Sequence, residues 1–337
     1  MNRGPLIFIT GAAGFIGSAL AWRLNRMGRE RLILVDRLGK SSKWRNLVPL
    51  RYLDYLEKDD FLEALAGGRW NGESVAAVLH MGACSATTEP DASYLAKNNF
   101  EYSKRLADWC LDRPDPVRLI YASSAATYGD GENGYDDDHA LLGRLRPLNM
   151  YGYSKHMFDR WIEAHGRLDA VVGLKFFNVY GPNEYHKGHM KSMVVKAYEQ
   201  IGETGTVKLF RSHRPDFRDG EQLRDFIYVK DAVDMALHFL DGTAPGGIYN
   251  IGTGVARSWV DMMNALFAAM GREPRIEFVP MPEELRGKYQ YFTKADPGKI
   301  RRAGYAEPAY SLEAGVADFV RYLDAGQQPL GWTAGSD

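Results

Sequence analysis

The sequence has 337 residues, of which 45% are hydrophobic and 25% are charged, the proportions of an ordinary globular protein. Its 42 Lys and Arg residues nearly balance 43 Asp and Glu residues, and the net charge of -1 gives no indication of binding to nucleic acid or to an anionic membrane. The two cysteines, Cys84 and Cys110, show no CxxC or metal-ligand spacing, and two cysteines are too few for a disulfide framework. This predicts a reducing, cytoplasmic environment.

The first predicted strand, 6–9, runs into a glycine-rich turn and then into an amphipathic helix that Gly28 closes. A second strand, 31–35, ends on an aspartate about 20 residues beyond the glycines. In such a βαβ unit the three glycines permit a tight turn, the approach of a pyrophosphate to the backbone, and close packing of helix on strand. Free N–H groups at the helix N-terminus attract the phosphates. The unit predicts a dinucleotide site formed by Gly11, Gly14, Phe15, Ile16, Gly17 and Asp36.

Apolar strands alternate with helical patterns through the first half of the chain, with further strands predicted at 75–80, 117–121 and 171–174. This alternation is typical of a doubly wound parallel sheet, the Rossmann architecture. The strand at 75–80 leads into small residues at the sheet edge where a cofactor can pass close by. Read alone, this run fits a packing turn equally well. Read with the glycine turn, it adds to the cofactor site Met81, Gly82, Ala83, Cys84 and Ser85.

The composition changes at residue 181, where polar loops begin, followed by an Arg- and Asp-rich loop at 211–223. A strand at 226–229 and another at 249–251 indicate a return to the sheet pattern. Beyond them, Ser258 forms a capping box that opens a helix reaching residue 270.

These changes predict an α/β protein in which a smaller substrate lobe is interleaved in sequence with the Rossmann domain. The Rossmann domain is expected at 1–177, with 224–252 returning to it. The α/β substrate lobe is expected at 178–223 and 253–325, and residues 326–337 are expected to form a flexible tail.

Two further motifs indicate acid/base chemistry. Ser124 follows the strand at 117–121, at the edge where open α/β sheets bind ligands, and Tyr151 and Lys155 share one face of a predicted helix. An ammonium favours a nearby phenolate, so Lys155 is expected to lower the pKa of Tyr151 towards neutrality. Tyr151 is then an acid/base, Ser124 hydrogen-bonds the reacting oxygen, and Lys155 also holds the cofactor ribose. The histidines lack metal-ligand spacing, so no metal is predicted.

The chain resembles the extended short-chain dehydrogenase/reductases that act on nucleotide sugars, and within them the ADP-L-glycero-D-manno-heptose 6-epimerase family. The resemblance extends to about Tyr322 and is carried by the glycine turn and by segments 82–89, 121–129, 149–155, 176–182, 186–188, 224–226 and 287–290. Of these, His186-Lys187-Gly188 is the signal specific to the narrower family. Two features depart from the family pattern: Met81 stands where a glutamate is expected, and the loop 215–223 is longer.

The resemblance implies an isomerase that inverts C6″ of ADP-D-glycero-D-manno-heptose through transient oxidation to a 6″-ketone by tightly bound NADP, in lipopolysaccharide core biosynthesis. It implies Tyr151 and Lys187 as two acid/bases, and it adds Lys187, Asn98 and Val179 to the cofactor contacts. Arg224 would suit a diphosphate through its planar fork. The substrate pocket would be lined by Ser124, Asn178, His189, Lys196, Phe210, Arg211, Ser212, His213, Arg224 and Tyr289. A homo-oligomer, such as a pentamer, is implied as well.

The residues that follow the second strand predict NADP rather than NAD. Asp36 alone favours NAD, because its carboxylate accepts a hydrogen bond from the ribose 2′-OH and repels a 2′-phosphate. Arg37 stands beside it, and the resemblance places Lys43 and Lys58 at phosphate contacts. Three converging cations outweigh one carboxylate, and a guanidinium can bind a phosphate with two parallel bonds.

Three alternatives remain. One is an epimerase acting at C4 of a UDP-hexose with the same tyrosine chemistry. Another is a 4,6-dehydratase, which is disfavoured because Ala125 and Ala126 occupy the positions of the dehydratase Asp-Glu pair and cannot transfer a proton. The last is a non-catalytic dinucleotide sensor, which has no need for Ser124, Tyr151 and Lys155 together.

Overall fold

The computed structural model describes residues 4–286 and 289–332. Its strands are β1 (Leu6–Thr10), β2 (Leu32–Asp36), β3 (Asp54–Glu57), β4 (Val75–His80), β5 (Arg118–Ser124), β6 (Val171–Phe176), β7 (Asn178–Tyr180), β8 (Val207–Phe210), β9 (Leu223–Tyr228), β10 (Gly247–Ile251), β11 (Ala256–Ser258) and β12 (Ile276–Val279). Its α-helices are α1 (Phe15–Arg26), α2 (Lys58–Ala66), α3 (Ala92–Leu95), α4 (Tyr102–Leu111), α5 (Met150–Ala164), α6 (Met193–Thr204), α7 (Val229–Leu237), α8 (Trp259–Ala269), α9 (Glu283–Arg286), α10 (Gly298–Arg302) and α11 (Leu312–Asp324).

A seven-stranded parallel sheet in the order β10-β6-β5-β4-β1-β2-β3 forms the larger part of the molecule. The strands β1 and β2 are buried along their whole length, as continuous apolar strands between two helix layers must be. The strand order reverses at β1, between β2 and β4, and this switch point opens a crevice at the carboxyl ends of the strands. The predicted doubly wound fold is confirmed.

The smaller lobe contains two short sheets, β11-β9-β7 and the parallel pair β12-β8. The predicted strand at 226–229 corresponds to β9. The prediction that the chain returns to the central sheet at residue 224 is wrong, because β9 is not a strand of that sheet. An apolar run predicts a strand without naming its partner, and here β9 pairs with β7 and β11. The chain rejoins the central sheet at β10, which pairs with β6. The capping box of Ser258 and Asp261 at the start of α8 is confirmed.

The end of the chain differs from its prediction. Residues 326–332 are not a free tail, because the Leu330 side chain is fully buried and its N–H donates to Asn183 Oδ1 at 2.8 Å. The Tyr185 hydroxyl donates to the Gln328 carbonyl at 3.1 Å. Residues 333–337, together with Gly287 and Lys288 from the resemblance, lie outside the described residues. Among the described helices, none combines the length and the apolar composition needed to cross a membrane.

Candidate active site

The glycine turn packs directly against the end of β4. Gly11 has φ of +68°, and a Cβ there would lie 2.7 Å from the Gly82 nitrogen. A Cβ on Gly17 would lie 2.2 Å from the Gly11 carbonyl oxygen. Any side chain at either position would therefore displace the turn or the first turn of α1. The helix begins at Phe15 without a side-chain cap, so its first N–H groups point towards the crevice as an anion site.

Asp36 is held by protein contacts on both oxygens. Its Oδ2 accepts from the Ala13 N–H at 2.8 Å, and its Oδ1 accepts from the Arg37 N–H at 2.7 Å and from Lys43 Nζ at 2.6 Å. The buried carboxylate is neutralised by Lys43. It also holds the glycine turn in place.

A cavity of about 200 Å³ lies beside Asp36 and brings together the three predicted cations Arg37, Lys43 and Lys58. Lys58 Nζ donates to Asn98 Oδ1 at 3.0 Å, which directs both side chains to this cavity. A concave site with three cations and one neutralised carboxylate suits a phosphate group.

A larger cleft of about 540 Å³ adjoins this cavity at the carboxyl ends of β1, β4 and β5. It brings together residues that are far apart in sequence. Its lining includes the predicted residues Gly11, Gly14, Phe15, Ile16, Gly17, Asp36, Lys43, Met81, Gly82, Ala83, Cys84, Ser85, Ser124, Tyr151, Lys155, Val179 and Lys187.

Tyr151 and Lys155 lie on α5, which Asn149 caps by accepting from the Gly152 N–H at 2.9 Å. The Tyr151 hydroxyl is hydrogen-bonded to Ser124, yet burial dominates and raises its pKa. The expectation that Lys155 lowers the pKa of Tyr151 is therefore wrong for this state of the site. Lys155 Nζ donates to the Ala122 carbonyl at 2.8 Å, and burial lowers its own pKa to about 8.

A buried polar network, missed by the sequence analysis, supports α5 one turn beyond Lys155. Asp159 is fully buried and accepts from the Tyr121 hydroxyl at 2.9 Å, the Ser123 hydroxyl at 2.7 Å and Lys175 Nζ at 2.8 Å. These bonds tie α5 to β5 and β6. Residues 151, 155 and 159 are four apart on one helix face, and this spacing could have identified Asp159 from the sequence.

Lys187 reaches the cleft from a separate element, the 3₁₀ helix Tyr185–Met190. Its ammonium lies 5.4 Å from the centroid of the Phe15 ring, and burial lowers its pKa. The buried Asn46 ties this loop to the glycine turn, since its Nδ2 donates to the Ala13 carbonyl at 3.0 Å and to the Asn183 carbonyl at 2.9 Å. No motif in the sequence marked Asn46.

Part of the predicted substrate set forms a second cluster in the smaller lobe. The buried Arg224 guanidinium lies 5.1 Å from the Tyr289 ring centroid and 5.9 Å from that of Trp259. Trp259 Nε1 donates to the Tyr289 hydroxyl at 2.9 Å. A cavity of about 230 Å³ lined by Trp259, Asn178 and Lys187 connects this cluster to the cleft. Trp259, at the start of α8, was not predicted as a site residue.

The other predicted substrate residues lie outside these three cavities. Phe210 packs edge-on against Tyr289 at 6.4 Å, and Lys196 on α6 is close enough for its charge to lower the pKa of Lys187. The loop residues turn to neighbours of their own: Arg211 Nε donates to the Phe278 carbonyl, the Ser212 N–H donates to Asp219, and His213 pairs with the Tyr291 hydroxyl. His189 is exposed.

Comparison with known proteins identifies relatives along the whole chain. The model of the NAD dependent epimerase/dehydratase family matches residues 7–252. ADP-L-glycero-D-manno-heptose-6-epimerase of Nitratidesulfovibrio vulgaris strain Hildenborough is 53% identical, covering 96% of this chain and 99% of the relative. The protein of that name in Fusobacterium nucleatum is 49% identical, covering 94% and 97%. The crystal structure of the Helicobacter pylori ADP-L-glycero-D-manno-heptose-6-epimerase has a TM-score of 0.79 at 27% identity, covering 96% of this chain and 99% of that one.

Proposed function

The chain belongs to the NAD dependent epimerase/dehydratase family, among the ADP-L-glycero-D-manno-heptose-6-epimerases, and we propose that it inverts C6″ of ADP-D-glycero-D-manno-heptose to give ADP-L-glycero-D-manno-heptose. One observation carries the proposal: the glycine turn and two groups of polar side chains line the same cleft. The first group is Ser124, Tyr151 and Lys155, and the second, on a different element, is Lys187. An epimerase needs a cofactor site and acid/base groups that serve two orientations of one carbon. The lining of this cleft supports the proposal because it combines a glycine turn with Tyr151 and Lys187.

The cleft fits a dinucleotide, because Gly11 and Gly17 leave no room for a Cβ and the first N–H groups of α1 are uncapped. We propose NADP, with Arg37, Lys43 and Lys58 around its 2′-phosphate and Asp36 neutralised beneath it. When bound, the oxidised nicotinamide supplies the redox chemistry that makes C6″ transiently a planar ketone.

The protein groups then have distinct roles at the C6″ oxygen. Tyr151 exchanges a proton with this oxygen in one orientation of the side chain, and Ser124, already bonded to Tyr151, hydrogen-bonds the same oxygen. Lys155, which donates to the Ala122 carbonyl, would hold the cofactor ribose. After the planar carbon turns, the oxygen points away from a tyrosine that is fixed on α5. Lys187 exchanges the proton in this second orientation.

Arg224 is proposed to bind the diphosphate, with Tyr289 and Trp259 packed against its guanidinium. We further propose that the enzyme works in the cytoplasm as a homo-oligomer and supplies the lipopolysaccharide core. Ala125 and Ala126 follow Ser124 with methyl side chains, so an elimination of water has no acid at these positions.

Mass spectrometry of the cofactor released by denaturation is expected to find NADP. Arg37→Ala and Lys58→Ala should each weaken NADP binding about 10- to 100-fold, the effect of one lost charge-assisted hydrogen bond, while NAD binding changes less. Arg45→Ala, which removes an exposed cation from the same region, should leave the preference unchanged. Recovery of NAD alone from the purified protein would overturn the NADP assignment.

Incubation with ADP-D-glycero-D-manno-heptose, followed by NMR of the C6″ proton, tests the reaction itself. The spectrum should convert to that of the L-glycero epimer. In deuterated water the product should retain hydrogen at C6″, because the hydrogen removed from the carbon is the one that returns to it. Deuterium at C6″ would instead indicate exchange with solvent and direct deprotonation of the carbon.

A further inference from the structure

The buried Glu184 side chain links the two ends of the loop 181–192, which carries Lys187. Glu184 is 1% exposed, and its carboxylate accepts from the Gly181 N–H at 3.2 Å through Oε1 and from the Ser192 N–H at 2.5 Å through Oε2. Gly181 and Ser192 stand at the two ends of the loop. One carboxylate therefore fixes the separation of the ends, and Lys187 lies between them.

Glu184 also lies one tight turn before Lys187. The Lys187 N–H donates to the Glu184 carbonyl at 3.0 Å, which holds the two residues within one turn of the same loop. Both residues line the 230 Å³ cavity, which Trp259 also lines.

The electrostatics agree with this geometry. Burial lowers the pKa of Lys187, the Glu184 carboxylate raises it, and the ammonium of Lys196 on α6 lowers it. Burial raises the pKa of Glu184, while its bonds to the loop and the charge of Lys187 lower it. The adjacent His186 has its pKa lowered to about 4 by burial and by the cations Lys43 and Lys187, so it supplies no compensating charge.

We propose that Glu184 is the positioning residue for Lys187: its carboxylate clamps the ends of the loop and supplies the negative charge that keeps the Lys187 ammonium in the cleft. The inference rests on the proposed role of Lys187 as the second acid/base. Glu184 is not assigned a proton-transfer role, since each of its two oxygens already accepts a main-chain N–H of the loop. It acts through the position and the protonation of Lys187.

Glu184→Gln keeps the length of the side chain but removes its charge and places an amide NH₂ against one of two N–H donors. We expect kcat for epimerisation to fall about 10- to 100-fold with a smaller change in KM, since the loop shifts while substrate contacts elsewhere remain. The pKa of Lys187 should fall, because the charge that raises it is gone. NMR of the protein labelled with [ε-¹³C]lysine measures this pKa, with the Lys187 signal identified by its absence in Lys187→Met. Glu203→Gln, an exposed change on α6, is the control.

Glu184→Asp separates the two parts of the proposal. It keeps the charge but is too short to reach both ends, so kcat should fall while the pKa of Lys187 stays nearer to the wild-type value than in Glu184→Gln. Should Glu184→Gln fail to fold, wild-type kcat and wild-type Lys187 pKa in Glu184→Asp would refute the clamp. A folded Glu184→Gln with both values unchanged would refute it directly. If Lys187→Met is inactive in either case, the proposed function stands and only the role of Glu184 is lost.

Discussion

Replacement of Tyr151 by phenylalanine is expected to lower kcat at least ~100-fold, the usual effect of removing an acid/base group. The substitution deletes only the hydroxyl that bonds to Ser124, and burial keeps that hydroxyl protonated near neutral pH. The ring remains, so α5 and the cleft should keep their structure. The measurement is steady-state epimerisation followed by NMR at C6″, with bound cofactor quantified in the same preparation.

Tyr153→Phe provides a matched control for this experiment. Tyr153 lies on the same helix two residues further on, and 49% of its surface is exposed to solvent, away from the cleft. Its kcat should stay within about twofold of wild type, since exposed substitutions change little. Comparable activity in Tyr151→Phe and Tyr153→Phe would remove Tyr151 from the mechanism.

Replacement of Lys187 by methionine should also lower epimerisation at least ~100-fold, while the protein still folds and binds its cofactor. Methionine preserves most of the side-chain volume beside the Phe15 ring and removes the ammonium. Burial already lowers the pKa of Lys187, which brings the group nearer to a pKa at which it can both accept and donate a proton. Without it, the second orientation of the C6″ oxygen has no partner.

An ADP-sugar with an aldehyde at C6″ distinguishes loss of one proton-transfer group from loss of the whole site. Two aldehydes and one water give one carboxylic acid and one alcohol, and this dismutation can be followed as two separate products. The two halves share one bound cofactor, so in Lys187→Met steady-state dismutation should stop. The half served by Tyr151 should persist only as a single turnover, giving at most one product molecule per bound cofactor. Lys191→Met removes a cation of the same loop that pairs with Glu199 and should behave as wild type. Full epimerase activity in Lys187→Met would rule out the two-group mechanism.

The sequence predicts most of the central sheet because most of its strands contain an apolar run. The exception is β3, which begins and ends on acidic residues and was not predicted. Runs such as 75–80 and 171–174 are buried on both faces, and burial on both faces requires this composition. The placement of β9 could not be read in the same way. The predicted run 226–229 is as apolar as a central strand, and only the folded chain decides that Leu223–Tyr228 pairs with β7 and β11.

In the candidate site, too, residues of local motifs could be predicted from the sequence, whereas residues that act through tertiary contacts could not. Residues within a local motif, such as Tyr151 and Lys155, were identified because helical spacing places them on one face. Asn46 and Glu184 were missed because their bonds to the glycine turn and to the ends of the loop depend on tertiary structure. The pKa of Tyr151 was predicted with the wrong direction for the same reason: a neighbouring lysine is visible in the sequence, whereas the cost of burying a phenolate is not.

The hydrogen bond between Leu330 and Asn183 has a consequence for the order in which parts of the protein fold during synthesis on the ribosome. The two residues are 147 positions apart, so at 5–20 residues per second Asn183 emerges roughly 7 to 30 s before its partner. During that interval β1 to β6 are already synthesised and the cofactor crevice can assemble. The loop bearing Lys187 receives its last support from residues translated after α11. Nascent chains should therefore bind nucleotide before they turn over sugar.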